Sequence, residues 1–498
     1  MESAGTRGRY ACLSHCWGAN PIIKTEHSTL ERYKQDIPLH DLPKTFQDAI
    51  NFLRRMGVDY LWIDSLCIIQ DSEDDWAEES AKMAEIYMNG FITIAATRGA
   101  VATTGLYSPM EDVNLSFPNG ACFILRNRVV SHPGTLLNDN RVFGIPRVEE
   151  NPFPLLGRGW VVQEMVLSQR VLHFCENELV FECDCGRACT CGFLQCEDNS
   201  LFNIADRTAL KDIWPGGING NHGLDSTFDL SRDQASSRWR NIVEYYGLCR
   251  LTFEKDKLPA ISGIAWLLHK RYNIKYMAGL WLESIHTDLL WSTARAQHED
   301  VWTISEQLAN AGLNESTFVL PTWSWISATT RLTYMHAFFV EHEDGETIKY
   351  ISVAKADCTP RSPLYPFGEL KSAELVLNGW LLPIKVDLNY LKHGRIEFTD
   401  KEGCPFSGTL YLDKRTQISV ERDSSGLFGV PIVKKYCHKD NIICMYFGLV
   451  VRKIEEGTGY ERVGLWRLGI MDRDDELQKE AVIDTFFQTL VTELIVLV

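Results

Sequence analysis

The chain has 498 residues and a formal net charge of −16, with 45% hydrophobic and 23% charged residues. That length predicts two or three hydrophobic cores, and the composition is that of a chain folded nearly throughout. Such an acidic surface repels phosphate backbones, so no nucleic-acid partner is expected. No window is apolar enough to span a bilayer, and Met1 to Arg9 lacks the apolar core of a secretory leader. A cytoplasmic protein is expected, and its 15 cysteines then read as reduced thiols or metal ligands rather than a disulfide framework.

Tyr10 to Cys16 (YACLSHC) predicts a strand. Pro43 to Met56 predicts a helix with Phe46, Ala49, Ile50, Leu53 and Met56 on one face, Pro43 in its first turn and Gly57 as its cap. A buried strand from Tyr60 to Ile63 ends in Asp64-Ser65, an acidic loop leads into a helix near Asp75, and Phe91 to Ala96 gives a third strand. This β-α-β-α-β order predicts an open, mainly parallel sheet with helices on its faces. On the second helix Trp76, Ser80, Met83 and Tyr87 share a buried face, whereas Glu78, Lys82 and Glu85 fall in solvent. Glu79 sits about 60° from the buried centre. A carboxylate there needs a partner, a raised pKa or a cleft, and the sequence leaves open an arginine-paired rim acid, a functional acid and plain exposure.

Ser108 to Glu150 reads as an irregular insertion with some strand, Gly159 to Leu167 as a helix, and Val171 to Cys183 as a hairpin turning at Glu176-Asn177. Leu201 to Leu290 is mainly helical, most clearly over Trp239 to Leu251 and Leu258 to Tyr272. Pro321 to Ser327 opens a β-rich part, with strands expected over Glu374 to Leu388, Gly408 to Leu412, Ile442 to Lys453 and Tyr460 to Met471. Glu493 to Val498 (ELIVLV) closes a sheet or docks on the core. The expected division is an α/β domain over 1–200, a helical segment over 201–320 and a β-rich domain over 321–498.

In an open parallel sheet ligands bind outside the carboxyl ends of the strands. Those ends present Ser14, His15, Cys16 and Trp17, then Asp64, Ser65 and Cys67, then Thr97 and Arg98. Hydroxyls, a carboxylate, an imidazole and an indole suit a small polar molecule or nucleotide with an aromatic portion. His15, Asp64 and Glu79 are the candidate catalytic groups; Ser14, Trp17, Ser65, Trp76 and Arg98 are the candidate substrate-binding groups. The plainer readings are a histidine capping its strand, an aspartate binding turn amides and a core tryptophan. Neither GxGxxG nor GxxxxGK[ST] follows the first strand, and HExxH and GxSxG are absent, so any nucleotide is held in another way. In ECDCGRACTCGFLQC, Cys183, Cys185, Cys189 and Cys191, with Cys196 nearby, form a candidate four-thiolate zinc site, against the alternative of reduced structural thiols.

The motifs YACLSHCWG, LPKTFQDAI, DYLWIDSLCIIQD, DWAEESAKMAEIY, FITIAA and RGWVVQEMVLSQRVLHF resemble, in order and spacing, the heterokaryon incompatibility (HET) domain of filamentous fungi. DKLPAISGIAW, AGLW, LLW and PTWSWIS are similar to the region that often follows such domains. The resemblance implies a role in fungal nonself recognition and programmed cell death. It also implies a distant likeness to the TIR fold, whose enzymatic members cleave NAD at the nicotinamide-ribose bond with a glutamate on a helix. Trp76-Ala77-Glu78-Glu79 is the corresponding stretch, which makes Glu79 the catalytic candidate, one residue nearer its tryptophan than in many TIR motifs. Two other expectations stand beside this one: a small-molecule enzyme of isomerase, cyclase or condensing type in a metabolite pathway, and a noncatalytic homo-oligomerising module.

Overall fold

The computed structural model describes residues 7–18, 23–108, 113–116, 122–125, 153–183, 186–190, 231–293, 319–329, 332–335, 346–363, 365–388, 394–399, 405–413, 420, 426–436, 442–455, 457–471 and 474–498. They fall into two units: Met1–Leu230 with Cys249–Leu267, and Ser231–Leu248 with Leu268–Val498. Among the described residues no helix is long and apolar enough to cross a membrane.

Unit 1 is an α/β unit built on a six-stranded mixed sheet in the order β2-β1-β3-β6-β7-β8. Its strands are β1 (Tyr10–Ser14), β2 (Tyr60–Trp62), β3 (Ile92–Ala95), β6 (Arg170–Phe174), β7 (Leu179–Cys183) and β8 (Gly186–Cys189); a separate hairpin joins β4 (Val113–Ser116) to β5 (Cys122–Leu125). The first four sheet strands run parallel, and the last two fold back antiparallel. The helices are α1 (His27–Gln35), α2 (Lys44–Arg55), α3 (Asp64–Cys67), α4 (Glu73–Asn89) and α5 (Gly159–Leu167).

The β-α-β-α-β reading therefore holds, with boundaries moved by a residue or two. Pro43 precedes α2 as its cap residue, and Gly57 ends it at φ +65, a conformation that costs glycine little. Ser72 accepts the Asp75 N–H at 3.2 Å and starts α4 two residues before the expected point. The core under α2 gathers Ala11, Leu13, Phe46, Ala49, Leu53, Ile63, Ile92 and Ile94. Because β2 lies on one side of β1 and β3 on the other, the chain reverses its winding at β1, the position at which open α/β sheets commonly bind ligands.

Unit 2 is helical and tryptophan-rich at its start and β-rich afterwards. Helix α6 (Arg232–Tyr246) belongs to it; α7 (Ser262–Tyr272) begins in unit 1 and ends here, and the short α8 (Ile285–Asp288) follows. Trp239, Trp281, Trp291 and Trp323 are fully buried. The Pro321 to Ser327 stretch contains a 3-10 turn at Trp325–Ser327. An eleven-stranded sheet has the antiparallel strands Leu427–Tyr436, Ile442–Lys453 and Tyr460–Met471 at its centre. Glu493–Leu497 pairs with Leu370–Gly379, so the terminal run closes a sheet as expected, and helix α9 (Asp474–Gln488) contributes Ile483 and Phe487 to the core of this sheet.

Candidate functional site

Alternation along β1 sends Cys12 and Ser14 to the face covered by α4 and α5, and His15 to the other, where its ring meets Phe46 edge-on at 4.8 Å. Pairing ends at Ser14, whose carbonyl accepts the Ala96 N–H at 2.9 Å, so His15 to Trp17 leave the sheet as a loop. After β2 the chain turns at once into α3. Asp64 Oδ1 accepts the Ser65 N–H at 2.7 Å, and Asp64 Oδ2 accepts the indole N–H of Trp17 at 2.8 Å. Two strand ends are thereby tied together through one half-buried carboxylate.

His15 Nδ1 stands 3.8 Å from Asp64 Oδ1, too far for a hydrogen bond. Burial lowers the His15 pKa; Asp64 opposes that and Arg158 adds to it, so the imidazole is neutral near pH 7. Neither ring nitrogen has a partner among the described residues, and the buried hydroxyls of Ser14 and Ser65 have none either.

The deepest acid of the site is Glu164, which sequence reasoning missed. It lies on α5, is 5% exposed, and leaves Oε2 without a partner among the described residues. Burial pushes its pKa up to about 7. The Ser14 and Tyr87 hydroxyls and Arg158 pull it back, whereas the charge of Asp64 drives it further up. Ser14 is near enough to act on the carboxyl without reaching hydrogen-bond geometry. One signal was available: GWVVQEMVL is apolar all round apart from Gln163 and Glu164, and a helix of that kind is buried on every side.

What holds α5 in place comes from a distant stretch of the chain. Arg250 N donates to Gly157 O and Arg250 O accepts from Gly159 N, both at 2.7 Å, forming a bridge at the start of the helix. Gln163 Oε1 accepts the Gly263 N–H at 2.7 Å. Arg158, the residue before α5, donates through Nη1 to the His15 carbonyl, so this clamp also fixes the loop after β1.

The other candidates lie as follows. Glu79 is at the boundary of the α4 interior, with its side chain 22% exposed, and pairs with Lys82 at 2.9 Å rather than with an arginine. Lys82 also takes Glu78 at 2.6 Å. The charge of Glu79 reaches Cys67, whose thiol is at the solvent surface yet hemmed in enough that desolvation, then Asp64 and Glu79, hold its pKa near 11. Trp76 meets Trp160 edge-on at 6.1 Å with the Lys255 ammonium 5.7 Å from its ring, and the Trp160 N–H donates to Asp256 at 3.1 Å. Arg98 is engaged by Glu176 at 2.6 Å and by the Tyr107 carbonyl at 3.1 Å, which ties it to the turn after β6. Ser14, His15, Trp17, Asp64 and Ser65 are thus brought together and joined by Arg158, Glu164 and Tyr87; Glu79 approaches through Cys67.

Of the cysteine cluster, Cys185 and Cys191, like Cys196, lie outside the described residues. Cys183 and Cys189 are both half-buried. In the β7-β8 hairpin Cys183 faces Gly186 at the closed end and Cys189 faces Val180 three positions along. That register separates them by roughly 10 Å, beyond the reach of one metal ion. Among the described residues no group of three or more His, Cys, Asp or Glu is placed to hold a metal.

Residues 10–164 match the family model described as Heterokaryon incompatibility protein (HET), so the resemblance carried by the motifs is shown for that segment. Neither the curated proteins nor the solved structures gave a match to the chain.

Proposed function

We propose that the chain acts in fungal nonself recognition through a HET domain whose β1-end cluster turns over a small polar molecule, with hydrolysis of the nicotinamide-ribose bond of NAD as its reaction. The observation that carries this reading is the concentration of buried polar atoms without hydrogen-bond partners among the described residues at the strand ends and on α5: Ser14 Oγ, both nitrogens of His15, Ser65 Oγ and Glu164 Oε2. Unpaired polar atoms in a core cost free energy, and sites that bind polar molecules are where that cost is retained. The 2-1-3 strand order, with the cluster at its reversal point, supports a TIR-like arrangement.

In this reaction a water oxygen bonds to C1′ of the ribose, the C–N bond breaks with its electron pair going to the ring nitrogen, and neutral nicotinamide leaves. Positive charge develops on the ribose, and a carboxylate beside it stabilises that charge. Asp64 and Glu79, at the solvent side, are the carboxylates for that role. Glu164, with a pKa near 7, takes up the proton that water releases. Trp17 and Trp76 are the candidate stacking groups, and the Ser14 and Ser65 hydroxyls, without hydrogen-bond partners among the described residues, are the candidates to bind the sugar.

The test is nicotinamide release from NAD by the purified full chain over a range of protein concentrations, beside Glu164→Gln, Asp64→Asn and Glu79→Ala. The expected outcome is turnover that rises with concentration if copies assemble, and loss of kcat by about 100-fold in the Asp64 and Glu164 variants. No release at any concentration removes the hydrolase reading and leaves a ligand-binding or oligomerising module.

A further inference from the structure

Trp17 has a polar handle as well as an aromatic face. Its indole N–H donates to Asp64 Oδ2 at 2.8 Å, across 47 residues of sequence and from a different strand end. Asp64 Oδ1 is held separately, by the Ser65 N–H at 2.7 Å. The two donors therefore grip different oxygens of one carboxylate. The terminal torsion of an aspartate is broad when a single donor acts on it, and the second donor is what fixes its plane. An ionised carboxylate has two acceptor sites on each oxygen, so one on each remains after these bonds. With 22% of its side chain exposed, Asp64 stays in contact with solvent while its orientation is set.

The loop that delivers the indole is itself held on both sides of Trp17. Arg158 Nη1 donates to the His15 carbonyl, two residues before it. Gly18 follows at φ +82, a left-handed conformation, and a Cβ there would lie 2.5 Å from Val101 Cγ1. At the other end of the bond, Gln70 Nε2 donates to the Asp64 carbonyl at 3.0 Å. Donor and acceptor are thus both anchored before any ligand arrives, which is the condition for a preorganised group. Phenylalanine at this position would supply a ring without a donor. The N–H is what tryptophan adds.

We infer that Trp17 is a positioning residue that acts through Asp64: its indole N–H holds the carboxylate in the orientation that stabilises positive charge on the reacting sugar. This role rests on the hydrolysis proposed above, and its test separates the two. In the full chain the indole is replaced by benzothiophene, through benzothienylalanine at position 17, which keeps the shape and the aromatic face and removes only the N–H. Trp17→Phe is the second variant. Nicotinamide release from NAD is followed for each, alone and combined with Asp64→Ala. A fall in kcat of about 10-fold with KM unchanged is expected, because one hydrogen bond to a charged group is lost while the ring stays. Neither replacement should lower the residual activity of Asp64→Ala, where no carboxylate is left to hold. The role is overturned if kcat persists without the N–H, if KM rises in step with the loss, as it would in a disordered loop, or if the losses add to that of Asp64→Ala. A wild type that releases no nicotinamide removes the hydrolase reading and this role with it, whereas an active wild type matched by the benzothiophene variant removes the role alone.

Discussion

Two buried cations of unit 2 and the buried acid of unit 1 are handled in opposite ways. In unit 2 the Arg462 side chain has no exposure, yet it pairs with Asp413 at 3.0 Å, donates to the carbonyls of Leu289 and Trp291, and lies 3.5 Å over the Trp291 ring. Lys434, equally inaccessible, takes Glu480 and Asp484 at 2.6 Å each, and those acids accept the Tyr436 and Tyr446 hydroxyls. Among the described residues of unit 1 Glu164 has no such cation at hydrogen-bond distance and titrates near neutrality instead, beside hydroxyls and an imidazole that have no hydrogen-bond partner there. The difference separates charges saturated by partners from polar groups that have none among the described residues: the first hold the fold together, and the second carry a standing cost in stability.

The comparison breaks most visibly at Arg462. Arg462→Met leaves Asp413 buried without its cation, and a loss of about 3–5 kcal/mol is expected in denaturant unfolding. A loss below about 1 kcal/mol would show that the saturated network contributes little. Next comes Glu164. Its pKa is raised from 4.5 to about 7, so the folded state keeps a proton that the unfolded chain gives up. The stability it contributes is complete below pH 4.5 and is lost as pH rises through 7, a total of about 3 kcal/mol at 1.36 kcal/mol per unit. Unfolding followed from pH 4.5 to 8 should show this decline, and Glu164→Gln should flatten it; an unchanged slope in the variant would assign the decline to other groups. The smallest effect belongs to Glu79. Its pair with Lys82 is partly solvated and shared with Glu78, so Glu79→Ala should shift stability by no more than about 0.5 kcal/mol. A cost above about 2 kcal/mol would mean that Glu79 is part of the core.

Periodicity made the sheet legible in the sequence and the depth of its site illegible. The strands and helices around β1 announce themselves through alternation and 3.6-residue spacing, and Ile442–Lys453 and Tyr460–Met471 have the bounds read from the sequence. Two neighbours escaped for identifiable reasons. Ser352–Pro360 has no fully buried position and so shows no apolar rhythm. Leu427–Tyr436 contains Pro431, which argues against a central strand; the structure accommodates it beside a register shift between Pro431 and Val433. At the site, Ser14, His15, Trp17, Asp64 and Ser65 could be read because strand ends are local features. Glu79 drew attention because helical geometry measures angle around one axis, whereas burial depends on what packs against it. For α5, the helix that carries Glu164, part of that packing arrives about a hundred residues later, in Arg250 and Gly263.

Gly263 gives this a consequence for how the chain is made. A methyl group at its Cα would lie 2.4 Å from the Ala84 side chain and 2.7 Å from Gln163 Oε1, so α4, α5 and the Gly263 backbone meet with no room between them. Residues 10–164 hold the whole family match, yet they do not include this closing piece. On the ribosome, α5 must therefore wait with one side uncovered until Cys249–Leu267 has been synthesised. A shortened protein ending after β8 would have every strand of the sheet and still leave Gln163 without the Gly263 N–H that it accepts.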